Sequence, residues 1–429
     1  MTFSQYPLRQ QLNDEVHARP PVPLEAPTLV SFLALLHDHT QPGAEREHLG
    51  RLCGRLGDGE LPGTDTTHLI IDGGSFLLKW ERHGEFSTYA FFRPRPASPA
   101  EGENALSAVP ADWVKDIPGE VIVATHMDVL SAAQIDPREL LRTLSAPGEV
   151  IVASQIAGGA AWVFTDFRLH DGFSRFTVVD VSLDRLRAGR TVQRLLEVET
   201  YRLMALLAFP VARSVGQLLN RAENELAVLI DRMGSAASPE DERAVLADLT
   251  KLAAEIEHSV ASTNFRFGAA AAYYRLVQQR VSELKETVVT GYPSIKGFME
   301  RRLAPALNTC AAIARRQEDL SARIARTSQL LRTRVDIELE RQNQEMLAEL
   351  NRRAKLQLRL QETVEGLSVV VLTYYGSQLV QYLTKGTKEL HHLSPEVVTA
   401  ASIPVIAALV AWGTHRMRKK LAAEAGEAH

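Results

Sequence analysis

Only two cysteines, Cys53 and Cys310, occur in 429 residues, and they lie far apart in the chain. A disulfide framework is thereby excluded, and the usage suits a reducing compartment. Charge of one sign is not in excess either: 48 basic side chains stand against 52 acidic ones. That balance leaves no electrostatic footprint for nucleic acid. The opening stretch, MTFSQYPLRQQLNDEVHARPP, has no basic segment followed by an apolar one. No secretory signal is expected, and the bulk of the chain is expected in the cytoplasm. Fixed-period repeats and long low-complexity tracts are missing as well. So are the spacings that cradle phosphates: Gly158-Gly159 has neither a third glycine at the dinucleotide spacing nor a following Lys-Ser/Thr. No nucleophile elbow or other local signature marks a Ser-His-Asp or Cys-His arrangement.

What is present changes texture twice. Residues 1–182 alternate short apolar runs with turn signals and read as an α+β (or α/β) head. Four prolines, Pro20, Pro21, Pro23 and Pro27, form an extended strap behind a short amphipathic helix. TLVSFLALLHDHT suits a helix or a buried strand, and SFLLKWERHGEFSTYAFFR is the clearest hairpin. Asp136-Pro137 is an N-cap followed by proline at the first helical position. From 183 to 363 turn signals become rare, and a stalk of long helices is expected, kinked at Pro210 and opened again at Ser238-Pro239. In the last of these helices Leu320, Ile324, Leu331, Val335, Leu339, Met346 and Leu350 lie on one stripe. Thirty residues in eight steps give a period of 3.75, above that of a heptad coiled coil, so straight or slightly right-handed packing is expected.

The second change comes near the end. Residues 366–384 and 397–414 carry no charge, and each run is about long enough to cross roughly 30 Å of hydrocarbon. Together with the link between them they make a transmembrane hairpin over 364–414, followed by a basic tail, 415–429. Arg352, Arg353, Lys355 and Arg359 precede the first run, and Arg416, Arg418, Lys419 and Lys420 follow the second. The excess on both outer flanks places both termini in the cytoplasm of a bacterial inner membrane. A mean hydropathy of -0.10 keeps the rest in water.

Two charged motifs are candidates for a site. In NDEVHARPP, Asn13, Glu15, His17 and Arg19 gather acceptor, titratable and cationic groups against the prolines. They suit general acid/base work, or a strap tied to its own domain by charge-assisted hydrogen bonds. In KWERHGEF, alternation puts Lys79, Glu81 and His83 on one face, with Trp80 and Arg82 on the other. His37, Asp38, His39, His48 and Cys53 fall within seventeen residues without ligand spacing, and read as solvated positions on a helix-turn-helix. In the first apolar run Thr373, Tyr374, Gly376, Ser377, Gln378 and Gln381 are polar or small, and suit contact with partner helices or a pore lining. No catalytic residue, cofactor or metal ligand is identified.

YPLRQQLNDEVHARPP, KWERHGEFSTYAFFR, GRTVQRLLEVETYRLMALLAFPVAR, RRLAPALNTC, LLRTRVDIELERQNQEML and RRAKLQLRLQETVEGLSVVVLTYYGSQLVQYL carry a resemblance along most of the chain. With them the chain resembles an uncharacterised bacterial family of predicted membrane-anchored proteins, domain of unknown function 3422. The resemblance implies a membrane anchor and no activity. Head, long helices, two spans and basic tail also look like the CorA magnesium-channel superfamily, but the Gly-Met-Asn of that family is absent and the matching region reads YLTKGTKEL. The expectation is an oligomeric binding or scaffold protein whose partners are the bilayer and its own copies. The alternatives are a CorA-like ion pathway taking a divalent cation, and a membrane-anchored enzyme using Glu15, His17 and Arg19.

Overall fold

The computed structural model describes residues 6–426 apart from 11, 14–19, 38–42, 58–62, 64–65, 101, 146–149 and 387–394. It divides into two compact units, Met1–Ser235 with Ala244–Ser328, and Ala236–Arg243 with Gln329–His429.

The first unit is built on one nine-stranded sheet. Its strands are β1 (Thr28–Leu36), β2 (His68–Asp72), β3 (Leu77–Arg82), β4 (Phe86–Pro94), β5 (Glu120–Ser131), β6 (Val152–Ile156), β7 (Ala161–His170), β8 (Phe173–Asp180) and β9 (Thr287–Val288). They lie in the order β2-β3-β4-β1-β5-β8-β7-β6-β9. Pairing is antiparallel except between β5 and β8, which run parallel. The run TLVSFLALL, which periodicity leaves between helix and strand, is the strand β1, hydrogen-bonded to β4 on one side and β5 on the other. It is apolar on both faces because both are covered. Leu29, Leu33 and Leu35 meet α1 (Ala44–Leu56) and Trp113 of α2 (Ala111–Lys115), while Val30, Phe32 and Ala34 meet α4 (Arg185–Leu206). Between β5 and β6, α3 (Pro137–Leu144) starts as expected, with the Asp136 carboxylate accepting from the Arg138 N–H at 2.9 Å.

Histidine 48 corrects one expectation. It is wholly buried, not solvated, and stacks on Trp113 at 4.3 Å, whose Nε1–H donates to the His48 carbonyl at 2.8 Å. Cys53 is buried on the same helix. Burial first, then the neighbouring Arg51 cation, lowers the His48 pKa to about 4. Because the folded-state value lies below the unfolded 6.5, the unfolded chain binds the extra proton between these limits. Stability therefore falls as pH drops from 6.5 toward 4, by about 2 kcal/mol at pH 5 from this residue. Urea unfolding at pH 7 and pH 5 is expected to show that loss in the wild type and a smaller one in His48→Phe.

The expected kink appears as a break: α4 ends at Leu206 and α5 (Ala208–Ser235) begins at Ala208. Pro210 has no N–H for the Leu206 carbonyl and its ring crowds it, so the helix is interrupted four residues before the proline. The next helix, α6 (Pro239–Glu283), opens on a reciprocal cap in which the Asp241 N–H donates to Ser238 Oγ at 3.1 Å and the Ser238 N–H to the Asp241 carboxylate at 3.2 Å. After α7 (Ile295–Phe298) and a π turn, α8 runs unbroken over Ala304–Gly386. Position 183 marks a change of secondary structure and not a unit boundary, since α4, α5 and most of α6 pack with the sheet. The stripe behaves as expected at its start, where Leu320, Ile324 and Leu331 are buried. Farther on, Leu339, Met346 and Leu350 are exposed.

In the second unit the end of α8 meets α9 (Pro395–Gly426). At Gly376 the approach is so close that an added Cβ would lie 2.8 Å from Ile406 Cγ2. Gly376→Leu is expected to cost about 1–3 kcal/mol by overpacking, read as a lower Tm in detergent, with Ile406→Ala restoring most of it.

Candidate functional site

The hairpin β3–β4 and the helix α4 bring polar groups together on one face of the sheet. Register pairs Lys79 with Ala90 and Glu81 with Thr88, and these small neighbours leave room above the strands. Lys79, Glu81 and His83 do share a face, as alternation predicts, and line a cavity of about 50 Å³. Trp80 lies in the core on the opposite side. Above the cavity, α4 presents Gln193, Glu197, Thr200 and Tyr201, a row at helical spacing. The strap reaches its edge at Val22.

Charge in this layer is closed on itself. Lys79, 6% exposed, has its Nζ 3.0 Å from Glu81 Oε1. Gln193 Nε2 donates to Glu197 at 2.8 Å, and Glu197 also pairs with Arg280 of α6. Arg280 extends the chain to Glu283 at 3.0 Å, which Arg194 meets at 3.1 Å. On the turn, Glu85 pairs with Arg266 and accepts from the Tyr273 hydroxyl at 2.9 Å. Burial, then the Glu85 carboxylate, pushes the Tyr273 pKa up, so the phenol stays neutral and donating. Tyr201 stacks on Tyr273 at 5.8 Å, and His83 on Phe86 at 4.6 Å. The His83 carbonyl accepts from His37 Nε2 at 3.1 Å.

Such an arrangement can hold a few water molecules and is too small for a metabolite. Each acid faces a cation, so the layer binds hairpin to helices through charge-assisted bonds. Among the described residues no group of three His, Cys, Asp or Glu side chains is placed to hold a metal.

Of the N-terminal motif, Asn13 is described and exposed, whereas Glu15, His17 and Arg19 lie outside the described residues. The small and polar residues of α8 divide. Thr373, Gly376, Gln378 and Gln381 are half-buried, Ser377 is buried, and Tyr374 is exposed. The hydroxyls of Thr373 and Ser377 donate to carbonyls of their own helix, Val369 at 2.7 Å and Tyr374 at 2.8 Å.

A second polar cavity, about 480 Å³, opens over β5 and β8 beside Arg95, His126, Asp128 and Arg175. His126 stacks on Phe173 at 4.0 Å and meets Ser31 Oγ at 2.9 Å, and burial lowers its pKa to about 4. Burial raises that of Asp128 against the pull of Arg95 and Arg175. Neither cavity's helical or loop wall is marked in the motifs. The signal that was there to read is the Gln193–Glu197–Tyr201 row, polar at every fourth position on a helix otherwise apolar toward the sheet.

A family model described as "Protein of unknown function (DUF3422)" matches residues 4–421. The chain belongs to this DUF3422 family. No curated protein and no solved structure matches it. The architectural likeness to the CorA superfamily thus finds no support, and the missing Gly-Met-Asn stands against it. What DUF3422 membership adds is extent: the match spans sheet, helices and the apolar C-terminal runs together. By length and composition two helical segments are apolar enough to cross a membrane, 185–235 and 396–417. A third of the apolar window in 185–235 is buried, and its helices pack in the core of the first unit, whereas no residue of the window in 396–417 is buried.

Proposed function

We propose that this DUF3422 protein is held in a bacterial inner membrane by a hairpin of 366–384 and 397–414, and serves there as an oligomeric binding or scaffold protein. The observation that carries the reading is the uncovered apolar surface at the end of the chain. Mean hydropathy reaches 1.9 in an 18-residue window within 396–417 with none of the window buried, and Val397, Val405, Leu409 and Trp412 are each about 60% exposed. Apolar surface of that extent demands a medium other than water. The first run, 366–384, is not among the helical segments apolar enough by length and composition, and its place in the hairpin rests on its seat against α9 at Gly376, since small residues let membrane helices approach. Arg416 lies 5.1 Å from the Trp412 ring centroid, an aromatic and a cation side by side where a span meets the headgroups. With the basic flanks on both outer sides, this supports cytoplasmic termini.

The test is fractionation of the full chain. It is expected to sediment with membranes and to resist alkaline carbonate, and release by carbonate would overturn the anchor. A reagent confined to the outside should label Lys388→Cys and leave Arg416→Cys untouched. Native mass spectrometry in mild detergent is expected to give assemblies, and monomers alone would exclude the oligomer.

A further inference from the structure

One face of the sheet carries two separate apolar cores. Over β1 to β4 it packs with α1 and α2 around Leu33, Tyr89 and Phe91, and over β6 to β8 with α3 around Phe164 and Val179. Strand β5 crosses between them. Ala124 belongs to the first core and Leu130 to the second, so alternation puts His126 and Asp128 on the same face in the gap. Strand β8 runs parallel beside it and repeats the pattern: Phe173 packs against the first core, Val179 lies in the second, and Arg175 and Thr177 stand between. The cavity of about 480 Å³ opens at this polar interval. Its charges are not closed as those above β3 are. Glu103 is taken by Arg93 at 2.8 Å and Arg175 by Asp171 at 3.4 Å, which leaves one acid and one cation over. Asp128 is half-buried and, among the described residues, accepts no hydrogen bond and joins no ion pair. Arg95 Nε is buried without a hydrogen-bond partner. The two are close enough to feel each other without meeting, since burial raises the Asp128 pKa while Arg95 draws it down. His126 is held by Ser31 Oγ at Nδ1 and by the Phe173 ring, and its Nε2 has no partner among the described residues. Polar and ionic groups kept out of water in this way are unfavourable until a partner arrives.

We propose that this cavity binds a small zwitterion of the free amino-acid class, with its ammonium group on Asp128, its carboxylate on Arg95 and a further hydrogen bond at His126 Nε2. Every residue involved lies in the first unit, so the site stands apart from the membrane anchor. The two leftover charges select the class. Phosphate or another simple anion would match Arg95 and be repelled by Asp128. A simple cation would match Asp128 and be repelled by Arg95. A neutral molecule would strip water from both and return no charge to either. A molecule that carries both signs a few bonds apart satisfies the acid and the guanidinium together, through charge-assisted hydrogen bonds. The space suits it, since pockets for small molecules run to roughly 300–1,000 Å³.

Calorimetric titration of the full chain in detergent at neutral pH tests this. The probes are the standard amino acids one by one, with acetate, methylammonium and inorganic phosphate as ligands of a single sign. At least one amino acid is expected to bind with a Kd of about 1 mM or lower. Acetate, methylammonium and phosphate are expected to bind about tenfold more weakly or not at all. In Asp128→Asn and in Arg95→Gln the amino-acid affinity is expected to fall about tenfold or more while the unfolding transition is kept. Binding of no amino acid, binding of a single-sign probe as tightly as the best amino acid, or undiminished binding in both folded variants would each overturn the site. Should a variant lose its unfolding transition, the comparison of amino acids with single-sign probes on the wild type still decides.

Discussion

Alanine at position 189 is expected to destabilise the sheet unit by about 3–5 kcal/mol. Gly189 lies on α4 directly beneath the proline strap, and a Cβ there would run into the Val22 carbonyl oxygen and lie 2.9 Å from its carbon. Both are backbone atoms, so no side-chain rotation relieves the clash. The strap is also tied down: the Leu24 N–H donates to the Arg185 carbonyl at 2.9 Å, and Val22 and Leu24 are 9% and 5% exposed. Making room means lifting both side chains out of the core, each worth about 1.5–3 kcal/mol, and breaking that hydrogen bond. Urea unfolding of the full chain in detergent measures the loss. A change below about 1 kcal/mol would mean that the strap yields freely and is not part of the core.

The second large effect is expected at Arg202. Glu199 is wholly buried on α4, and Arg202, one turn on, meets it with two bonds, Nε to Oε2 at 3.0 Å and Nη2 to Oε1 at 2.6 Å. The same guanidinium lies 5.3 Å from the Phe167 ring centroid. Arg202→Ala leaves a carboxylate in the interior without its cation, a loss of about 3–5 kcal/mol. Removing both charges together avoids that penalty, so Glu199→Leu with Arg202→Met is expected to be clearly more stable than Arg202→Ala alone. Comparable losses in the single and double variants would show that packing around Phe167, and not the buried charge, sets the energy.

Both effects arise in GRTVQRLLEVETYRLMALLAFPVAR, and its letters show why they were hard to read. Gly189 looks like a weak point inside a helix until the strap is seen above it, because its reason lies 167 residues earlier at Val22. Glu197, Glu199 and Arg202 carry no local mark of burial, yet Glu199 is wholly buried, Arg202 lies over Phe167, and Glu197 pairs with Arg280 of α6. KWERHGEF was easier: strand alternation alone puts Lys79, Glu81 and His83 on one side, and that is where they lie. What alternation left out is the other half of the layer, Arg266, Tyr273 and Arg280, which comes from a helix nearly two hundred residues away. His48 departs from its expected place for a related reason. A polar letter on a short helix suggests water, and only the packing of Trp113 against its ring makes it a core residue.

Beside the family, which whole stretches of matching residues carry, the sequence by itself determined the α+β class, the hairpin β3–β4, the helix starts at Asp136 and Ser238 and the two uncharged C-terminal runs. Each of these rests on local periodicity, capping chemistry or hydropathy, which neighbours along the chain decide. Only the tertiary structure decided that β1 is a central strand, that α4 to α6 belong with the sheet, and that Lys79, Glu81 and His83 are closed in by cations and acids from elsewhere. It also decided which part of the α8 stripe is covered and which is left open. Burial and ion pairing depend on groups brought together from distant positions, and a one-dimensional pattern carries no record of that meeting.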